Sequence, residues 1–213
     1  MKIFLDTAIV DDIARRNDGL ITGVTTNPTL IAKSGRTPHE VYQEIFDLGI
    51  KDLSIEVEGE YFDELIANST STVQTYADYA TIKLPCTPDG LIACKHLVKQ
   101  GVRVNMTLVF SVSQAILCSL AGATYVSPFV GRLDDNGQNG IDLIRDIVKV
   151  FCMHKSNTRV LAASIRSAQS AAKCFEAGAH ICTIPPKVYD DMFKHVLTDK
   201  GFNQFLQDFG KNV

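Results

Sequence analysis

Lys83 lies in the apolar run Ala80-Thr81-Ile82-Lys83-Leu84-Pro85, which reads as a buried strand of a parallel sheet. Burial disfavours an ammonium ion, and a desolvated neutral amine is a nucleophile that can attack a carbonyl carbon and form a Schiff base. A lysine in such a place also has a structural use, snorkelling from a strand end or pairing with a carboxylate. The rest of the chain argues for chemistry. Polar residues recur at or near the C-terminal ends of the other expected strands: Asp6, Thr25-Thr26-Asn27, Glu56, Asn105 with Thr107, Ser127, and Ser164. Asn105 and Thr107 are two positions apart and share a strand face, as do Ser127 and Phe129. Buried polar groups without a function usually cost stability, so their convergence on one rim points to an active site.

A second cluster follows the later strands. Gly131-Arg132 comes after the sixth and Ser164-Ile165-Arg166 after the seventh. Two guanidinium forks with a hydroxyl suit a phosphate group. Taken alone, the same residues read equally well as two solvated surface arginines.

These side chains need a scaffold. Strand patterns cover Lys2–Asp6, Leu20–Thr26, Asp52–Val57, Thr81–Pro85, Arg103–Val109, Ala123–Val130, Arg159–Ser164 and His180–Ile184. Helical spacing lies between them, over Thr37–Phe46, Tyr61–Tyr76, Asp89–Lys99, Ser111–Leu120, Ile141–His154 and Ser167–Ala177, with two more helices near Val188–Val196 and Asn203–Phe209. Gly101, Gly122 and Gly178 sit where helices should stop, and Thr87-Pro88 where one should start. Strict β/α alternation implies a parallel sheet with right-handed crossovers, and eight strands match a (β/α)8 TIM barrel, an α/β fold whose active sites form at the C-terminal ends of the strands. The rival, an open doubly wound sheet, lacks a glycine-rich nucleotide fingerprint or a P-loop here. The expectation is a single barrel domain over residues 1–213, with an extra C-terminal helix over 198–213.

Composition narrows the function classes. The 213 residues are 46% hydrophobic, enough for a large core. Net charge is -3 and the pI is near 5.9, which gives no electrostatic footprint for nucleic acid. No apolar run approaches the roughly 20 residues of a membrane span, and Met1–Asp6 is too soon charged to be a signal peptide. The six cysteines form no C-x-x-C pair, so neither a zinc site nor a redox motif is expected; reduced, buried thiols in a cytoplasmic protein are.

The motifs together resemble the transaldolases, and in length the short subfamily that also contains fructose-6-phosphate aldolases. The resemblance spans essentially the whole chain: Phe4-Leu5-Asp6-Thr7, Gly23-Val24-Thr25-Thr26-Asn27-Pro28-Thr29-Leu30-Ile31, Ile82-Lys83-Leu84-Pro85, Asn105-Met106-Thr107-Leu108-Val109-Phe110-Ser111, Ser127-Pro128-Phe129-Val130-Gly131-Arg132 and Ala163-Ser164-Ile165-Arg166. It implies a (β/α)8 barrel that uses no cofactor and no metal, with sugar phosphates as substrates in the pentose phosphate pathway. By position, Lys83 would form the Schiff base and Asp6 would be the general acid/base. Glu56 and Thr107 would hold the proton-shuttling water. Asn27, Asn105 and Ser127 would bind the three-carbon ketose fragment, and Arg132, Ser164 and Arg166 the phosphate. The aldolases of this group tend to carry Gln at the position of Glu56 and Tyr at that of Phe129, and depart from Asn105 and Ser127. All four residues here resemble transaldolase, which implies group transfer over release of free dihydroxyacetone. Ile165-Arg166 departs from the commoner Phe-Arg or Phe-Lys. A deoxyribose-phosphate-type lysine aldolase would lack the Thr-Thr-Asn-Pro motif, and a sugar-phosphate sensor would have no need of a buried nucleophile.

The short subfamily commonly forms decamers of two pentameric rings, which implies a homo-oligomer. Phe202, Phe205, Leu206 and Phe209 form one apolar stripe at helical spacing. It suits either the base of the chain's own barrel or a neighbouring subunit.

Overall fold

A computed structural model describes residues 1–76 and 79–210. Eight parallel strands close into a barrel in sequence order: β1 (Lys2–Asp6), β2 (Ile21–Thr25), β3 (Leu53–Glu56), β4 (Ala80–Pro85), β5 (Val104–Val109), β6 (Tyr125–Pro128), β7 (Arg159–Ala162) and β8 (Ile181–Ile184), with β8 pairing back onto β1. The helices are α1 (Val10–Ala14), α2 (Pro28–Ser34), α3 (Pro38–Asp47), α4 (Phe62–Tyr76), α5 (Pro88–Lys99), α6 (Val112–Leu120), α7 (Val130–Asp135), α8 (Gly140–Met153), α9 (Ala168–Glu176), α10 (Pro186–Asp191) and α11 (Val196–Gly210). This is the (β/α)8 barrel with a C-terminal helix that the alternation implied.

The differences from the sequence reading have local causes. The short helices α1, α2 and α7 were not foreseen, because five to seven residues are too few to show a period. The expected sixth strand is cut short where Val130 opens α7, and Phe129 keeps only a single bridge to Ala163. The C-terminal helix starts at Val196, and the expected residues 211–213 lie outside the described residues.

Side-chain caps start many of the helices that follow strands. Asn27, Thr87, Ser111 and Ser167 accept from Leu30, Gly90, Gln114 and Ser170 amides at 2.9–3.2 Å, each cap stabilising its helix by about 1 kcal/mol. The core lies mainly between the strands and the helix ring, where Val24, Ile82, Met106, Val126 and Ile147 are fully buried. Inside the barrel Phe4, Tyr125, Leu161 and Ile181 form a separate apolar plug. Gly23 makes room for it, since a Cβ there would come within 2.6 Å of the Phe4 ring and 2.7 Å of the Asp52 carbonyl oxygen. Below the plug, the Asp52 carboxylate accepts from Thr81 at 2.8 Å and Tyr125 at 2.6 Å, with Arg103 at 3.5 Å. The lumen is therefore filled from beneath, and only its upper end is open to hold a ligand.

No residue of α11 is buried, and Phe202, Phe205, Leu206 and Phe209 are between 53% and 71% exposed. The stripe does not close the base of its own barrel. Among the described residues no helix is long and apolar enough to cross a membrane.

Candidate active site

The sheet register assembles the inner end of the site. Glu56 is the register partner of Lys83, and Lys83 of Asn105. Parallel pairing sets three adjacent strands at one height with these side chains on the lumen face. Lys83 is 6% exposed. Its Nζ lies 2.9 Å from Glu56 Oε2 and donates to the Thr26 carbonyl at 3.1 Å. The buried amine thus has a carboxylate in direct contact, which offsets its loss of water and is the nearest base for its proton.

Asn105 and Ser127 form a fixed polar wall beside Lys83. Ser127 Oγ donates to Asn105 Oδ1 at 2.6 Å, and Asn105 Nδ2 donates to Ser54 Oγ at 3.2 Å. Thr107 lies next along the same face. Its Oγ1 is buried with no partner among the described residues, an arrangement that leaves a hydroxyl to be satisfied by a ligand or a bound water. Just beyond it Leu108 adopts φ +57°, and the β5–β6 register shifts between Met106 and Val109. A bulge of this kind re-aims side chains beside an active site.

Asp6 ends β1 across from these groups. Thr25, its register partner, donates to Asp6 Oδ1 at 2.7 Å, and Thr25 Oγ1 also lies 2.7 Å from Thr183 Oγ1. Burial pushes the Asp6 carboxyl above the ordinary carboxylate value and is the largest influence; the Thr25 bond and the charge of Lys83 pull it down, and Glu56 pushes it up.

These groups surround a cavity of about 130 Å³, lined by Asp6, Thr25, Asn27, Lys83, Asn105, Thr107, Ser127, Phe129, Arg132, Ala163, Ser164 and Thr183. Every expected site residue lines it except Glu56, which reaches it through Lys83, and Arg166. Asn27 caps α2 with its oxygen, which fixes the side chain and leaves its amide NH2 as a donor for a ligand. Phe129 packs edge-on against Phe110, ring centres 5.7 Å apart, and the Arg132 guanidinium sits 4.8 Å over its ring. Ser164 adopts φ +59°, unusual for a residue with a side chain, and its carbonyl accepts from the Gly131 amide at 3.0 Å. A Cβ at Gly131 would stand 2.3 Å from that oxygen, so only glycine lets the two loops meet there. Arg166 is turned away: both arms of its fork hold the Asp135 carboxylate, and both side chains are at least half exposed.

A larger groove, about 420 Å³, opens outside the barrel between α2, α3 and α4. Glu56 is at its inner edge, but Lys83 and Asp6 are not among its walls. The lumen cavity is therefore the candidate active site. Among the described residues no group of His, Cys, Asp and Glu is placed to hold a metal ion.

The family profile for transaldolase/fructose-6-phosphate aldolase matches residues 3–212. The chain belongs to the transaldolase/fructose-6-phosphate aldolase family. It is 48% identical over 210 residues to a probable transaldolase of Symbiobacterium thermophilum, covering 98% of this chain and 97% of the relative. It is also 48% identical to one from Caulobacter vibrioides (98% and 96% covered) and 46% identical to probable transaldolase 1 of Listeria monocytogenes (98% of each).

Sequence reasoning placed Thr25 among the polar strand ends but gave it no role, and it passed over Thr183. On a strand, threonine first reads as a β-former. Their signal was the two-residue period: Thr25 follows Gly23, and Thr183 follows Ile181, on the lumen face.

Proposed function

We propose that the protein is a transaldolase that carries a dihydroxyacetone unit on Lys83 from a ketose phosphate, such as fructose 6-phosphate or sedoheptulose 7-phosphate, to an aldose phosphate, such as erythrose 4-phosphate or glyceraldehyde 3-phosphate. The carrying observation is a buried amine 2.9 Å from a carboxylate, in a cavity whose opposite wall holds the raised carboxyl of Asp6. In this reading the whole chain acts as one domain.

The steps follow from the placement. Glu56 takes the proton from Lys83, and the neutral amine attacks the C2 carbonyl carbon of the ketose. Glu56 and Thr107 hold the water through which the C2 oxygen is protonated and lost as water, leaving an iminium ion. The Asp6 carboxylate removes the C4 hydroxyl proton, the C3–C4 bond breaks, and its electron pair passes into the iminium to give an enamine. The aldose phosphate departs, a second one enters, and the steps reverse, with Asp6 returning a proton to the new hydroxyl. Asn27, Asn105 and Ser127 grip the three-carbon unit; Arg132 and Ser164 meet the phosphate, with Arg166 available once it leaves Asp135.

A fructose-6-phosphate aldolase is the alternative within the same family. It would protonate the enamine and release dihydroxyacetone. Phe129 argues against this, because a phenyl ring offers no proton where a phenol would. The test is one assay with fructose 6-phosphate, with and without erythrose 4-phosphate, reading glyceraldehyde 3-phosphate and free dihydroxyacetone together. Product only with acceptor supports transfer; product without it, with dihydroxyacetone in step, makes the chain an aldolase. Absence of a borohydride-trapped adduct at Lys83 overturns the Schiff-base reading.

We further propose that the enzyme works as a homo-oligomer in the cytoplasm. The exposed stripe of α11 fits an apolar surface on a neighbouring copy, and six free cysteines suit a reducing compartment. Removing the residues after Gly201 should lower the mass seen by light scattering; an unchanged mass excludes α11 from the interface.

A further inference from the structure

We propose that Thr183 is a positioning residue for Asp6, acting through Thr25 as a two-hydroxyl chain that fixes one carboxylate oxygen and leaves the other for the substrate. This rests on the reading of Asp6 as the acid/base of the lysine-bound intermediate.

The direction of the chain follows from counting protons. A threonine hydroxyl has one proton to give. Thr25 Oγ1 gives it to Asp6 Oδ1 at 2.7 Å, so at its 2.7 Å contact with Thr183 Oγ1 it can only accept. Thr183 is therefore the donor, and the order is Thr183 to Thr25 to Asp6. Both hydroxyl residues are 3% exposed, where bulk water cannot readily replace a lost partner. The two threonines come from β2 and β8, the strands that flank β1 on either side, and their hydroxyls meet in the lumen. Asp6 is thereby tied to both neighbouring strands by one chain of atoms. Asp6 Oδ2 has no partner among the described residues and is the oxygen free to take the C4 hydroxyl proton.

The chain acts on the proton affinity of Asp6 as well as on its position. A hydroxyl that is itself receiving a hydrogen bond is a stronger donor, and a bond given to a carboxylate favours the ionised form. The charged groups acting on Asp6 are Lys83 from β4, which favours the carboxylate, and Glu56 from β3, which opposes it; Arg132 lines the same cavity from α7. Strands β2 and β8 carry no charged residue. Their hydroxyls are the means by which those two strands hold Asp6 ionised against its burial.

The test uses the full-length enzyme and the pH dependence of kcat/KM for transfer. Thr183→Val keeps the side-chain shape and removes the donor. It should lower kcat/KM roughly tenfold and move the acid limb of the profile upward by about half to one pH unit. Thr183→Ser should restore both. Thr25→Val should do at least as much damage, and adding Thr183→Val to it should cost almost nothing more, because the chain is already broken. An acid limb that stays in place in Thr183→Val overturns the proposal, as do losses that simply add in the double variant. Borohydride trapping at Lys83 separates the two levels of failure. A wild-type enzyme that forms the adduct while Thr183→Val keeps the wild-type limb sinks the chain alone. A wild-type enzyme that forms no adduct sinks the reading of the site, and the chain with it.

Discussion

The floor of the cavity and its rim are built by different means. On the floor, Glu56, Lys83 and Asn105 stand side by side because their strands are in register, and Asp6 is set against Thr25 in the same way. These residues are mostly buried, and their partners lie within 2.6–3.2 Å. At the rim, Arg132 and Arg166 are exposed, the first on the short helix α7 that follows β6 and the second in the bend after β7. What fixes the rim is backbone: a positive φ at Ser164 and the close approach of Gly131 to its carbonyl. The contrast assigns the roles. Bond-making needs groups held within a fraction of an ångström, and sheet register supplies that. Holding a phosphate needs charge that a ligand can reach, and the exposed segments after β6 and β7 supply that.

The contrast breaks first at Lys83. Lys83→Met should reduce turnover by at least ~10³-fold, with no trapped adduct and an intact fold. An adduct trapped on another lysine would mean that the floor is scaffold and the chemistry is elsewhere.

Asp6 gives the next largest effect and tests the energetics of the floor. Asp6→Asn should lower kcat by roughly 10²–10⁴-fold. It should also stabilise the protein at neutral pH, because burial raises the Asp6 carboxyl and its ionised form is a burden on the fold. The sign is fixed by linkage. The native state binds the extra proton between the ordinary value of 3.8 and the raised one, so the stability deficit of the wild type grows as pH rises through that window and vanishes below it. Denaturant unfolding at neutral pH and below pH 3.8 measures both ends. A variant less stable than the wild type at neutral pH would show that the Thr25 bond and Lys83 outweigh burial.

The two arginines sharpen the comparison at the rim. Arg132→Ala should raise KM for phosphorylated sugars about 10- to 100-fold and leave unphosphorylated ones nearly unchanged. Arg166→Ala should do much less, since its fork is already held by Asp135. Equal losses for the two variants would mean that Arg166 leaves Asp135 for every substrate.

Floor and rim were not equally legible in the sequence. Lys83, Glu56, Asn105 and Ser127 stood out because a lone polar residue in an apolar strand violates its surroundings, and the two-residue period then put them on one face. Thr25 was visible only as part of a polar strand end and with no role, and Thr183 not at all, since threonine is at home in a strand and violates nothing. Eight strands were readable because each is a β-rich run between helical patterns. The helix α7 was not, since Phe129 and Val130 read as the end of the sixth strand and a helix of six residues is too short to show a period. The pairing of Arg166 with Asp135 was hidden for a different reason. It joins the end of α7 to the bend after β7, two residues 31 apart, and no local period reports that.

That pairing yields the smallest effect and the finest test. A half-exposed ion pair is worth about 0–1 kcal/mol, so Asp135 holds Arg166 only weakly, and a sugar phosphate with two negative charges can compete for the same fork. If Asp135 acts as a stand-in for the phosphate, Asp135→Asn should free the guanidinium and lower KM for phosphorylated substrates by about two- to fivefold, with kcat little changed and the effect fading at high salt. If the pair instead clasps α7 to the bend after β7, the same variant should leave KM as it was and lower Tm, because the helix carrying Arg132 would lose its tie to the bend carrying Ser164. The first result makes the rim a switchable anion site with two arginines. The second leaves Arg132 as the one arginine, beside Ser164, that meets the phosphate and makes Arg166 part of the frame that holds it.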